Sequence, residues 1–142
     1  MTVSVVPHIN LRGQAREALQ FYQSVFGGEI TAMTYRDAHA VRDPQDADRV
    51  MWGQVRAADG FQVMAYDVPT DTAWQSGEHA YFICAGCSTA DEATSRWARL
   101  SAGASILQPL VPAPWAPLYG MLKDKFGVIW VVNVSAAPAA AS

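Results

Sequence analysis

Two stretches of this chain repeat at a constant offset. Gly53, Val55 and Gly60 recur as Gly120, Leu122 and Gly127, each 67 positions later. The segments read WGQVRAADGFQVMAYDV and YGMLKDKFGVIWVVNV. Each half also opens with a histidine on an apolar run, His8 in PHINL and His79 in EHAYF. An internal repeat constrains a fold more than any local propensity does. Two copies are too few for a solenoid. The expectation is a duplicated module whose halves pack face to face and enclose something between them.

The 142 residues are one domain's worth of material, 51% hydrophobic and 16% charged, so a packed core is feasible. Two repeats, about 3–67 and 79–134, share that single domain, with a linker at 68–78 and a flexible tail at 135–142. The formal charge of −3 gives no reason to expect nucleic acid or an anionic membrane as partner. No apolar run approaches a membrane span. The start MTVSVVPHIN lacks a signal-peptide pattern. Two cysteines do not make a disulfide framework, and the expected compartment is the cytoplasm.

Residues 3–11 read as a strand, with Pro7 marking an edge or bulge. Ala15, Ala18, Leu19, Tyr22, Val25 and Phe26 fall at helical spacing, and Gly27 and Gly28 end that helix. A strand follows at 29–35, then a polar loop at 37–48 of mixed charge, read as solvated. Strands 49–57 and 61–67 form a hairpin about Asp59 and Gly60. In the second half, 79–85 reads as a strand. Thr89 and Glu92 fit a capping box before a helix lined by Ala93, Trp97 and Leu100. Strands follow at 106–111, 118–123 and 128–134, with the proline-rich VPAPWAPLYG between the first two. Each half is β-α-β-β-β, and the class is α+β.

That order, twice, resembles the vicinal-oxygen-chelate superfamily of glyoxalase I, fosfomycin-resistance and bleomycin-resistance proteins, and within it the PhnB-like branch. The resemblance rests on EALQFYQSVFGGEI, DGFQVMAYD and WAPLYGMLKDKFGVIWVVNV. It implies two modules forming curved mixed sheets around a cavity, and a homodimer. Strand alternation then gives a lining of its own. His8 and Asn10, Gln62 and Met64, His79 and Tyr81, and Val131 and Asn133 would face it. Trp52 and Gln54, and Tyr119 and Met121, would join them. This describes an apolar pocket with a few convergent polar groups, suited to a small-molecule ligand.

Metal-dependent members of that superfamily place His and Glu ligands on the first and last strands of each half. Carried onto this chain, the first-strand positions match His8 and His79. The terminal glutamate falls at Val131, and its repeat mate is Met64. Two imidazoles without a carboxylate lack the anionic ligand that anchors a dication such as Zn, Mn, Ni or Fe. A metal at His8 and His79 would need His39 or an acid of loop 37–48. Otherwise no cofactor is required.

Cys84 and Cys87 (CAGC) stand between a strand and a helix, the setting of a redox pair, but no basic residue flanks them. Cys84 reads as core and Cys87 as a turn residue. Trp97 and Trp130 read as packing residues. Trp52 and Trp115 read as ligand platforms or interface residues, and Trp74 as a lid or dimer contact. No nucleophile elbow, phosphate loop or dinucleotide fingerprint is present. The functional expectation is a homodimeric small-molecule-binding protein that sequesters an organic compound in a metal-independent cavity. The alternatives are a metal-dependent lyase, isomerase or transferase acting on a vicinal-oxygen substrate, or an interaction module whose cavity is filled by side chains.

Overall fold

A computed structural model describes residues 3–135. Two compact units divide the chain after Ser76. The first contains β1 (His8–Leu11), α1 (Ala15–Phe26), β2 (Glu29–Thr34), β3 (Val50–Arg56) and β4 (Gln62–Asp67). Its sheet runs β1-β4-β3-β2, with β1 parallel to β4 and the other pairs antiparallel. The second contains β5 (Ile83–Cys87), α2 (Ala90–Leu100), β6 (Ser105–Ala113), β7 (Ala116–Lys123) and β8 (Ile129–Val134). Its order, β5-β8-β7-β6, repeats the first strand for strand, including the parallel pair. The result is an α+β chain of two four-stranded mixed sheets, neither closed into a barrel.

The repeated glycines now have physical reasons. A methyl group on Gly53 would lie 2.6 Å from Leu19 Cδ1 and 3.1 Å from the Ala65 carbonyl. One on Gly120 would lie 2.8 and 2.9 Å from the Trp97 ring and 3.0 Å from Leu110 Cα. In each unit the helix thus seats a large side chain on a bare spot of the third strand. The later pair, Gly60 and Gly127, has φ of 103° and 89° at the hairpin turns, where a side chain would be strained.

Helix α1 buries the six residues its spacing predicted, Ala15, Ala18, Leu19, Tyr22, Val25 and Phe26. Gln14 gives it no side-chain cap. Asp67, at the end of β4, does that work instead. Its Oδ1 accepts from the Gly13 and Ala15 amides at 2.6 and 3.1 Å, and its Oδ2 from the Val50 amide at 3.0 Å. A carboxylate at a helix N-terminus also meets the favourable end of the helix dipole. In α2 the expected capping box forms. Thr89 Oγ1 accepts from the Glu92 amide at 3.1 Å, and Glu92 Oε2 reaches back to the Ser88 amide at 3.1 Å. Trp130 packs between sheet and helix as expected, and its Nε1 donates to the buried Asp124 at 2.9 Å.

Several expectations need correction. Residues 79–82 are not strand. In the parallel register Ile83 meets Trp130, so residue 79 would fall opposite Phe126, inside the turn before β8. No ladder partner exists there. The same logic shortens the first strand to His8–Leu11, because residues 3–5 would face the β3–β4 turn. The proline-rich stretch is mostly strand. Pro109 and Pro112 sit in the edge strand β6, where the register shifts absorb their missing N–H groups. Finally, much of the linker is fixed. Arg12 donates to the Val68, Pro69 and Thr72 carbonyls, and Trp74 Nε1 to the Asn10 carbonyl at 3.0 Å. The tail 136–142 lies outside the described residues.

Loop 37–48 is anchored rather than merely solvated. It holds a 3-10 turn, Pro44–Asp46, and Asp46 is only 2% exposed. Asp46 pairs with Arg49 at 3.0 Å and accepts from the Thr70 amide and hydroxyl at 2.9 and 2.8 Å. Burial pushes this carboxyl up, but the Thr70 hydrogen bonds and the Arg49 charge outweigh it and hold it below the usual carboxylate range.

Two outcomes follow from this packing. Gly120→Ala is expected to destabilise the protein by about 1–3 kcal/mol through overpacking. In a Trp97→Ala background most of that cost should vanish, as a double-mutant cycle in urea would read. Because its folded pKa is lowered, Asp46 contributes stability that is full above its unfolded pKa and is lost as pH falls through its folded pKa. Asp46→Asn should therefore flatten the acid limb of the stability profile below about pH 4, measured as denaturant midpoint against pH.

Candidate functional site

Each sheet has one face covered by its helix and one that is not. In the first unit Ile9, Leu11, Val55, Val63 and Ala65 alternate onto the α1 side and are buried. The intervening residues take the other face. There His8 pairs with Met64, Met64 with Gln54, and Gln54 with Thr31, a row across four strands. In the next row Asn10 pairs with Tyr66, and Trp52 pairs with Met33. Five expected site residues, His8, Asn10, Trp52, Gln54 and Met64, therefore share one face, as does Gln62. Tyr66 belongs with them and was missed in the sequence, although the two-residue period that selects Gln62 and Met64 reaches it next.

Polar chemistry on this face is specific. His8 Nδ1 lies 2.8 Å from Asn10 Oδ1, a contact made possible because the two residues are two apart on one strand. The His8 ring stands edge-on to Tyr66, with centroids 5.3 Å apart. Gln62 Nε2 donates to Gln54 Oε1 at 3.1 Å. Met64, Trp52 and Tyr66 are half-buried between these polar ends.

The matching face of the second unit differs. Cys84 pairs with Val131 and Val131 with Met121; Gly86 pairs with Asn133 and Asn133 with Tyr119. Tyr119 and Val131 thus share one face of the second sheet, with Val131 only 7% exposed. Trp115, in the turn before β7, is 63% exposed and stands edge-on to Tyr119 at 5.2 Å. His79 and Tyr81 do not join this face. Both lie in the exposed segment before β5, with His79 at φ 52° and its ring edge-on to Phe82 at 6.1 Å. Register makes Cys84 the counterpart of His8, since His8 pairs with Met64 and Cys84 with the repeat mate Val131.

The donors do not suit a metal. The four corresponding positions hold an imidazole (His8), a thioether (Met64), a thiol (Cys84) and an alkyl group (Val131). The acid on the His8 face, Glu29, is on β2, three strand spacings or about 14 Å from β1. His39 sits in the exposed loop after β2. Among the described residues, no group of three His, Cys, Asp or Glu side chains is placed to hold an ion. A borderline or hard dication wants at least three such ligands.

The cysteines also depart from expectation. Both lie within β5, Cys84 exposed and Cys87 half-buried, so neither is a core or turn residue. Three residues apart on a strand, they point to opposite faces, with Cα atoms about 10 Å apart. A disulfide needs under about 7 Å. Burial raises both thiols above their ordinary pKa, which disfavours the reactive thiolate.

A sequence profile of the Glyoxalase/Bleomycin resistance protein/Dioxygenase superfamily matches residues 6–132. The crystal structure of protein PA1353 from Pseudomonas aeruginosa is similar, with 30% identity and a TM-score of 0.82 over 94% of this chain and 98% of that one. The PhnB protein from Bacillus cereus shares the fold at 23% identity and a TM-score of 0.69, over 94% of this chain and all of its own. A glyoxylase/bleomycin resistance protein/dioxygenase domain from Frankia sp. EAN1pec does so at 10% identity and 0.67, over 98% and 96%. No curated protein matches the chain. The profile match spans most of both repeats, and the chain belongs to the glyoxalase/bleomycin resistance/dioxygenase superfamily, the vicinal-oxygen-chelate group that its repeated β-α-β-β-β order resembles.

Proposed function

We propose that this chain is a small-molecule-binding protein that sequesters a planar organic compound, without a metal, on the uncovered face of its first sheet. The observation that carries this reading is the gathering of His8, Asn10, Trp52, Gln54 and Met64 on that one face. Aromatic and thioether groups supply contact area, and three polar side chains supply direction. The donor set argues against a metal-dependent reaction, because the His8 face offers one imidazole and no adjacent carboxylate.

The reading also makes the chain a homodimer. Its support is exposed apolar side chains at both edges of the second sheet, Tyr81 (75% exposed) and Phe82 just before β5 and Ile106, Leu107 and Val111 on β6. Exposed apolar side chains on sheet edges are what a second copy would cover. Sedimentation equilibrium should return twice the chain mass, and a monomer at micromolar concentration would contradict it.

Protein purified without chelators is expected to carry no stoichiometric transition metal. Small aromatic compounds should still quench its tryptophan fluorescence, equally with and without EDTA. His8→Ala and Trp52→Ala should each weaken that binding by about tenfold, the size of one lost hydrogen bond or aromatic contact. One tightly held metal per chain, lost in His8→Ala, would overturn the proposal in favour of a metalloenzyme.

A further inference from the structure

The His8–Asn10 contact has directional content. Asn10 Oδ1 is a carbonyl oxygen and can only accept, so at 2.8 Å His8 Nδ1 must be the donor. A neutral imidazole carries one N–H. If that hydrogen is on Nδ1, Nε2 is a bare acceptor. Among the described residues nothing else takes Nε2; the ring's other neighbour is the Tyr66 ring, which stands edge-on. Across the row, Met64 separates His8 from Gln54. The Gln54 carbonyl oxygen is occupied by Gln62, which leaves the Gln54 amide nitrogen as the group offered outward. The face therefore presents an acceptor at one end and a donor at the other, about 10 Å apart by strand spacing, over a soft thioether floor.

We infer that Asn10 is a positioning residue that fixes His8 as the Nδ1–H tautomer, and that this face selects planar hydroxyaryl compounds bearing a carbonyl opposite the hydroxyl. The hydroxyl donates to His8 Nε2, and the carbonyl accepts from the Gln54 amide. The aryl ring lies over Met64, beside Tyr66 and Trp52. The ligand class rests on the small-molecule reading above; the tautomer does not.

The tautomer is read directly from long-range proton–nitrogen NMR correlations of the histidine rings at about pH 9, where imidazole is neutral. His8→Gln assigns the His8 signal among the three histidines. Wild type should show Nδ1–H. Asn10→Ala should return His8 to the Nε2–H form that free imidazole side chains prefer, whereas Asn10→Asp, which keeps the acceptor oxygen, should retain Nδ1–H. A merely structural Asn10 would not produce that pattern. Nε2–H in wild type, or no change in Asn10→Ala, overturns the inference.

Matched probes test the ligand class. 4-Hydroxyacetophenone should shift sheet resonances at Trp52 and Tyr66 and bind about tenfold more tightly than 4-methoxyacetophenone, which lacks the donor. That preference should shrink to about twofold or less in Asn10→Ala. Equal binding of both probes to wild type would overturn the donor–acceptor reading while leaving a small-molecule site. No perturbation of this face by either probe would overturn both.

Discussion

A helix side chain resting on a strand glycine holds each half of this protein together. Leu19 on Gly53 and Trp97 on Gly120 are the same contact made with different atoms. Close packing at that point lets the helix lie flat on the third strand, with Val55 and Val63 in the first unit and Leu122 and Val132 in the second buried beneath or beside it. The glycine offset in the sequence is therefore the record of a packing requirement repeated twice. Since each helix covers one face of its sheet, the alternation of strand residues dictates what the other face carries.

Within that shared frame the two faces have diverged. The first places His8, Gln54 and Asn10 around Met64, with Trp52 and Tyr66 adjoining. The second has Cys84, Met121 and Gly86 around Val131, with Tyr119 and Asn133. Imidazole and amide groups that can orient a ligand are concentrated in the first unit. The second unit offers a thiol that hydrogen-bonds Asn133 at 3.7 Å and a more apolar surface. On one repeated scaffold, the imidazole and amide side chains lie mainly on one copy.

The fold was legible because its signals are local. Six apolar residues at helical spacing marked α1, Thr89 with Glu92 marked the start of α2, and Asp59-Gly60 marked a hairpin. What failed depended on partners distant in sequence. The apolar run at His79 looks like a strand until the start of β8 at Ile129 leaves it nothing to pair with. Cys87 reads as a turn residue and Cys84 as core until the pairing of β5 with β8 carries both into one strand, with Cys84 exposed. Asp67, Asp46 and Arg12 look like ordinary surface charges, yet they cap α1, anchor loop 37–48 and fasten residues 68–72. No spacing rule announces a carboxylate whose donors lie more than fifty residues away. Alternation did place His8, Asn10, Trp52, Gln54 and Met64 on one face, since β1, β3 and β4 are regular where those residues stand.

The uncovered face of the first sheet is the proposed binding surface. Methyl-13C labelling of the methionines during a screen of small aromatic compounds tests it most directly, with Met64→Leu assigning the key signal. Met64 and its face neighbour Met33 should move in a saturable way, and in Trp52→Ala the same shifts should need about tenfold more compound. If compounds bind yet leave the Met64 methyl unmoved, the site lies elsewhere and the account is wrong.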